Sequence, residues 1–479
     1  MALAKERVNL LSQSDTQATP KSARKAKFLE GDLMRHVAVM SLSASIGLVS
    51  IFLVDFADLL FIAQLGDPAL TSAVGFAQTV LYVTFAVMLG LNIACSALSA
   101  RLIGRGELED ARQIATSAVA FGIAISLVIS AVFWVIAPYL LGALGAEGDT
   151  KAHAVSYFRI IVTAMPVATV GMMTAGLLRA HGDARRAMMV TLIAGGVNAV
   201  LDPIFIFGFG WGLEGAAIAS VCARFATLLT ALYPVTKHYG GFARFSLARF
   251  RTDLTPILAL TIPAILTNVA TPVGNSIAIR VLAPFGDEAV AGLAVVSKLT
   301  LLAFCVIFAL SGAVGPIIGQ NFGAQQYDRV QETLRRAMTF AIGFVLLAWA
   351  LLVLGNGFVS DLFKLTMEGR DIVFWFSVLI APLFIFNGSL FISNAAFNNL
   401  KRPLWSSMLN WGKNTVGVLP FVLVGASLGG APGVLVGQAV GGIFFGVLGL
   451  WLAFRLVSNY QNGTSDPDKA WRPRMMGNG

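Results

Sequence analysis

Charge is what this chain has least of. Only 12% of its 479 residues are Asp, Glu, Lys or Arg, about half the share that a water-facing globular surface carries. That shortage excludes a soluble multidomain protein, because the polar side chains are too few to cover one. Cysteine is nearly absent. Cys95, Cys222 and Cys305 each lie inside an apolar run, and an odd set of buried thiols excludes a disulfide framework and a thiolate metal site. His36, His153, His181 and His238 all fall at helix ends or in loops, so no span offers a histidine base or metal ligand. There is no P-loop, no H-E-x-x-H and no nucleophile elbow, so neither ATP drive nor hydrolysis is expected. The stretch Gly210-Trp-Gly212-Leu-Glu-Gly215 imitates a dinucleotide fingerprint but joins two apolar runs with no strand before it. The expectation is a protein without enzymatic activity, metal or cofactor.

What the chain has is apolar length. Its residues are 57% hydrophobic, with a mean hydropathy of +0.77. A membrane-spanning helix needs about 20 such residues in a row. Runs of that kind lie near 38–62, 71–99, 114–138, 155–178, 188–209 and 214–235, then near 254–282, 289–318, 337–358, 372–396, 405–427 and 432–454. They are too long and too uniformly apolar for the alternating strands of a barrel. The fold class predicted is an all-α membrane protein with twelve transmembrane helices.

Lys and Arg test the count, since they gather in loops on the cytoplasmic side. They crowd the N-terminal tail and every second connection, as at Arg101/Arg105/Arg112, Arg179/Arg185/Arg186 and Arg329/Arg335/Arg336. The other connections hold only Lys151, Lys364 and Arg370. Both termini are therefore expected in the cytoplasm, in a multi-pass protein of a bacterial inner membrane with no cleaved leader. The formal net charge of +9 resides in these short clusters, which suit anionic lipid rather than nucleic acid.

The chain also repeats itself. Leu65-Gly66-Asp67-Pro68-Ala69-Leu70 returns as Phe285-Gly286-Asp287-Glu288-Ala289-Val290, and Ala100-Arg101-Leu102-Ile103-Gly104 as Gly319-Gln320-Asn321-Phe322-Gly323, at an offset of about 220 residues. Each half has an even number of spans, so the halves are parallel repeats with a substrate path between them. The division reads 1–37 tail, 38–235 N-lobe, 236–253 linker, 254–454 C-lobe and 455–479 tail.

Ionisable groups inside spans are functional candidates by default. Of 25 acidic residues only Asp55, Asp58 and Asp202 lie within spans. Asp55 and Asp58 are spaced i, i+3, and Asn198 and Asp202 i, i+4, so each pair projects from one helix face. If the faces meet, three carboxyl groups and an amide share one cavity and exchange protons as a coupled set. Their oxygens also suit a hard cation such as sodium. The alternatives are structural: Asp58 near the outer interface, Asp202 bonding backbone groups freed by Pro203, and Asn198 as a helix–helix partner. The second half has no acid within its spans but carries Arg280, Lys298 and Lys413, candidates for substrate contacts or for snorkelling. Arg159 and Arg224 are candidates to pair with an acid.

These residues carry a family resemblance. Gly196-Val-Asn198-Ala-Val-Leu-Asp202-Pro203-Ile-Phe-Ile-Phe-Gly208 resembles the fifth-helix signature of the multidrug and toxic compound extrusion (MATE) family. Asp58-Leu-Leu-Phe-Ile-Ala-Gln-Leu-Gly66 is similar to the end of its first helix, and Ser311 to Ala324 to the end of its eighth. The resemblance implies a V-shaped fold of two six-helix lobes that exports amphipathic, often cationic compounds in exchange for protons or sodium. Asp58, Asn198 and Asp202 match its N-lobe cation site. The seventh helix, Thr261 to Pro272, lacks the glutamate of the sodium-coupled branch, so the chain looks more like the DNA-damage-inducible F branch, with protons as the coupling ion. It departs in having no proline between Met40 and Gly47, where that branch has a bending proline. The function expected is a monomeric antiporter whose partners are a small-molecule substrate and membrane lipid. The alternative is a lipid-linked saccharide flippase of similar architecture.

Overall fold

The computed structural model describes residues 26–464 apart from 364 and 366; the outer parts of both tails and Lys364 lie outside the described residues. Helices make up the chain, and no strand occurs among the described residues. The first half holds α1 (Leu33–Ala63), α2 (Pro68–Arg105), α3 (Leu108–Ala143), α4 (Gly148–Thr163), α5 (Met165–Ala180), α6 (Ala184–Pro203) and α7 (Gly212–Tyr239). The second holds α8 (Leu247–Leu282), α9 (Asp287–Ala303), α10 (Cys305–Gly323), α11 (Tyr327–Leu362), α12 (Met367–Trp375), α13 (Ala381–Asn399), α14 (Pro403–Asn414) and α15 (Leu419–Gln461).

An aspartate caps the start of three of these helices. Asp32 accepts the Arg35 amide at 2.7 Å, Asp67 accepts the Ala69 amide at 2.8 Å, and Asp183 accepts the Arg186 amide at 3.2 Å. Each satisfies a donor that the first helical turn leaves unpaired. The helices outrun the apolar runs: α1 begins at Leu33 rather than 38, α15 reaches Gln461 rather than 454, and the linker shrinks to 240–246.

Several spans expected to be continuous are broken instead. The fourth bends by 48° between α4 and α5, where Pro166 in the first turn of α5 cannot continue the preceding ladder. The fifth runs on past Pro203, which has no amide to donate, as a π-helical turn, Ile204–Gly208. The eighth is split at Phe304 into α9 and α10. Among the described residues ten helices are long and apolar enough to cross a membrane, and α4 with α5 makes an eleventh.

The run Pro403–Gln461 counts once in that tally, yet its 59 residues would reach roughly 90 Å as one helix, three times the hydrocarbon core. It is in fact a hairpin. Gly429 and Gly430 leave helical geometry, Gly430 with a φ of +59°. Gly433 then packs on the Gly425 carbonyl, Gly437 on Phe421 and Gly441 on Gly417. Partner numbers fall on one arm as they rise on the other, so the arms are antiparallel, sealed by small residues that admit close approach. Two crossings result, and the count of twelve is restored.

The halves meet at the end that carries the basic connections. There α2 crosses α10, α1 packs on α10 and α11, and α2 packs on α8 as far as Gly90, which abuts Thr261 and Ile265. Leu33, Val37 and Met40 at the start of α1 belong to the same buried cluster as Val314, Phe322 and Leu334 of the second half. Toward the other end α9 packs on α12.

Candidate functional site

Two helices that run the same way build the site. Along α1 and α6, Gly47 faces Thr191, Ser50 faces Gly195, and Asp58 faces Asp202, a constant register between parallel neighbours. Glycine in one wall and then the other lets the backbones approach, so short aspartate side chains suffice. The carboxyl groups of Asp58 and Asp202 lie within interaction range of each other. Asn198, one turn before Asp202, donates its Nδ2 to Asp202 Oδ1 at 3.1 Å. Asp202 and Asn198 are buried and Asp58 is half-buried. Asp58 Oδ1 and Asp202 Oδ2 are enclosed without any hydrogen-bond donor.

Two carboxyl groups this near each other cannot both carry charge at low cost. When both ionise, the two carboxylates and the Asn198 amide oxygen form an oxygen-only donor set, the kind that suits a small hard cation. Asp202 finds its hydrogen-bond partner in the Asn198 side chain rather than in the backbone beside Pro203.

The other candidates are placed unequally. Asp55, one turn earlier on α1, is exposed and within electrostatic reach of Asp58 and of Lys298, but makes no hydrogen bond to Asp202 or Asn198. Among the described residues Arg159 and Arg224 form no salt bridge with an acid. Arg159 lies 4.2 Å over the Trp134 ring and donates to the Trp134 carbonyl at 3.0 Å. Arg224 donates to the Ile161 carbonyl at 2.6 Å, which the kink after α4 leaves without a full helical ladder. In the second half Lys298 and Arg280 are exposed, while Lys413 is half-buried and donates to Asn387 Oδ1. Sequence reasoning missed Tyr157, a buried α4 side chain within electrostatic reach of Asp58, Asp202, Asp55 and Arg224. A single tyrosine in an apolar run carries no spacing signal, and only the packing of α4 on α7 brings it here.

Known proteins resemble this chain along most of its length. Residues 44–204 and 263–424 each match the MatE family, one match per half. A FAD transporter of Shewanella oneidensis is 28% identical over 91% of this chain and 98% of its own length. The multidrug export protein MepA of Staphylococcus aureus is 24% identical over 70% of this chain and 74% of its own. Among solved structures, the Vibrio cholerae MATE transporter VcmN superposes with a TM-score of 0.85 at 25% identity, covering 91% of this chain and 98% of that one. A MATE protein bound to MaD3S gives the same score at 23% identity, over 92% and 99%. With a family match in both halves and the twelve-crossing, two-lobe architecture in place, the chain belongs to the MatE family of membrane transporters.

Proposed function

We propose that the chain is a secondary exporter that exchanges an amphipathic organic solute for inward-moving protons, with Asp58, Asp202 and Asn198 as the coupling site. One observation carries this reading: the Asp58 and Asp202 carboxyl groups face each other inside a span, each with an enclosed oxygen that no amide, hydroxyl or cationic donor satisfies. A structural pair would have its oxygens satisfied, because an orphaned buried acceptor costs about 1–3 kcal/mol. A site that binds and releases a cation must leave them open. The alternating Lys and Arg connections support an inner-membrane orientation with both termini in the cytoplasm.

Protonation and a cationic substrate then compete for the same negative charge, and linkage makes the competition reciprocal. The test is efflux from proteoliposomes with a proton gradient and a sodium gradient imposed separately, using ethidium as the cationic probe. Ethidium export driven by the proton gradient alone supports the reading. Export driven only by sodium reassigns the coupling ion, and export under neither condition removes the antiport mechanism.

A second reading concerns substrate charge. Lys298, Arg280 and Lys413 make the second half cationic, and a relative similar over nearly its full length is named for FAD, an anionic dinucleotide. In this reading the substrate's anionic group sits on the C-lobe while the proton site stays in the N-lobe. Retention of FAD over ethidium in a competition experiment, lost in Lys413→Gln, would select it.

A further inference from the structure

We propose that residues 26–31, ahead of the first span, form a clasp that holds the lobes shut at the basic end, and that this clasp must release for the transporter to open there. Phe28 is its centre, 1% exposed in the midst of a helical junction. Its ring lies against Gly182 of the first half and belongs to the buried cluster of the second. Both backbone polar groups of Phe28 reach the other lobe. The Phe28 amide donates to Gln320 Oε1 at 2.9 Å, and Gln320 Nε2 donates onward to the Ala180 carbonyl at 2.7 Å. The Phe28 carbonyl accepts from Asn321 Nδ2 at 3.2 Å and from Arg329 Nη2 at 2.9 Å. Lys27 Nζ closes the other side by donating to the Gly182 carbonyl at 2.8 Å. Gln320, Asn321 and Arg329 stand on α10 and α11, Ala180 and Gly182 at the end of α5.

A segment with only a structural task at the start of α1 would bond within its own lobe. This one instead sends both backbone groups of Phe28 to the opposite lobe, while its ring lies between the two lobes. Its place along α1 also matters: the helix that leaves the clasp carries Asp58 near its far end, so one rigid element links the proposed coupling site to the junction. The repeat provides a contrast. The residue that matches Gln320 is Arg101, whose Nε turns back to its own helix at Ala97. The opposite flank of the junction is closed differently, by Ser117 donating to Asp253 at 2.6 Å and by Arg249 pairing with Asp110. Releasing the clasp therefore loosens one flank and leaves the other. The inference stands whichever ion or solute is carried.

The test reads lobe separation directly and needs no substrate. In a background with the three cysteines replaced, spin labels at Arg185→Cys and Arg335→Cys report the distance between lobes at the basic end. Both positions are exposed. The ratio of long-distance to short-distance population should rise about tenfold in Phe28→Ala, equivalent to about 1.4 kcal/mol of closed-state preference, and stay near wild type in Phe28→Leu. Gln320→Ala removes both bridging bonds without touching the aromatic ring, so it serves even if Phe28→Ala does not fold. It should shift the ratio the same way. Unchanged distributions in the folded alanine variants would overturn the proposal, as would a Phe28→Leu shift as large as that of Phe28→Ala.

Discussion

Gly323 lies so close to Arg101 that a Cβ on the glycine would overlap the Arg101 carbonyl oxygen, and Gly104 meets the Gln320 carbonyl in the same way. The two contacts are repeat equivalents, so the crossing of α2 and α10 sits on the axis that relates the lobes. Glycine is the one residue type that lets two helix backbones touch here.

Gly323→Ala should therefore force α2 and α10 apart where they now touch. Overpacked helix contacts of this kind cost about 1–3 kcal/mol. Thermal unfolding in detergent should show the loss, and the lobe-distance labels should show a larger open population. An unchanged melting temperature would mean the crossing is looser than its geometry.

Asp202→Asn should abolish proton-driven efflux while the protein still inserts and folds. Asparagine preserves the hydrogen bond with Asn198 but cannot titrate. Efflux at the wild-type rate from proteoliposomes would remove Asp202 from the mechanism.

Asp58→Asn should match that loss, whereas Asp55→Asn should leave part of the activity. Asp58 faces Asp202, whereas Asp55 is exposed and within electrostatic reach of Lys298 without pairing with it. Comparable, complete loss at both positions would show that Asp55 belongs to the coupling set.

Asp183 offers a pH-dependent check outside the spans. Partial burial pushes its pKa up, but hydrogen bonds from Arg186 and from the Tyr239 hydroxyl outweigh that and hold it below its ordinary value. Arg186 donates at 2.5 Å and Tyr239 at 2.8 Å. A depressed carboxyl pKa gives stability that is full above the ordinary range, near 4, and is lost as pH falls through the folded value. Asp183→Asn should cost about 1 kcal/mol near neutral pH, discounted because the Arg186 side chain is 42% exposed. The melting-temperature gap from wild type should close as pH drops below that range; a gap that persists in acid would assign the effect to packing.

Much of this protein was legible in its order of residues. Apolar runs must be helices in lipid, because each backbone polar group needs a partner within its own segment, and the spacing of Lys and Arg orders those runs without any tertiary information. The same physics singles out Asp58 and Asp202, since a charge inside a span is too costly to persist without a use. What the order of residues could not decide is where helices break and which faces meet. Pro166 and Gly430 mark breaks only when packing rewards the bend, so spans that read as continuous are bent or folded back. Asp55 and Asp58 share one face by spacing, yet the parallel register of α1 on α6 delivers only Asp58 to Asp202. Likewise nothing in Lys27-Phe28-Leu29 announces a clasp. That assignment depends on Gln320 and Arg329, nearly three hundred residues away, and distance along the chain is what only a folded structure removes.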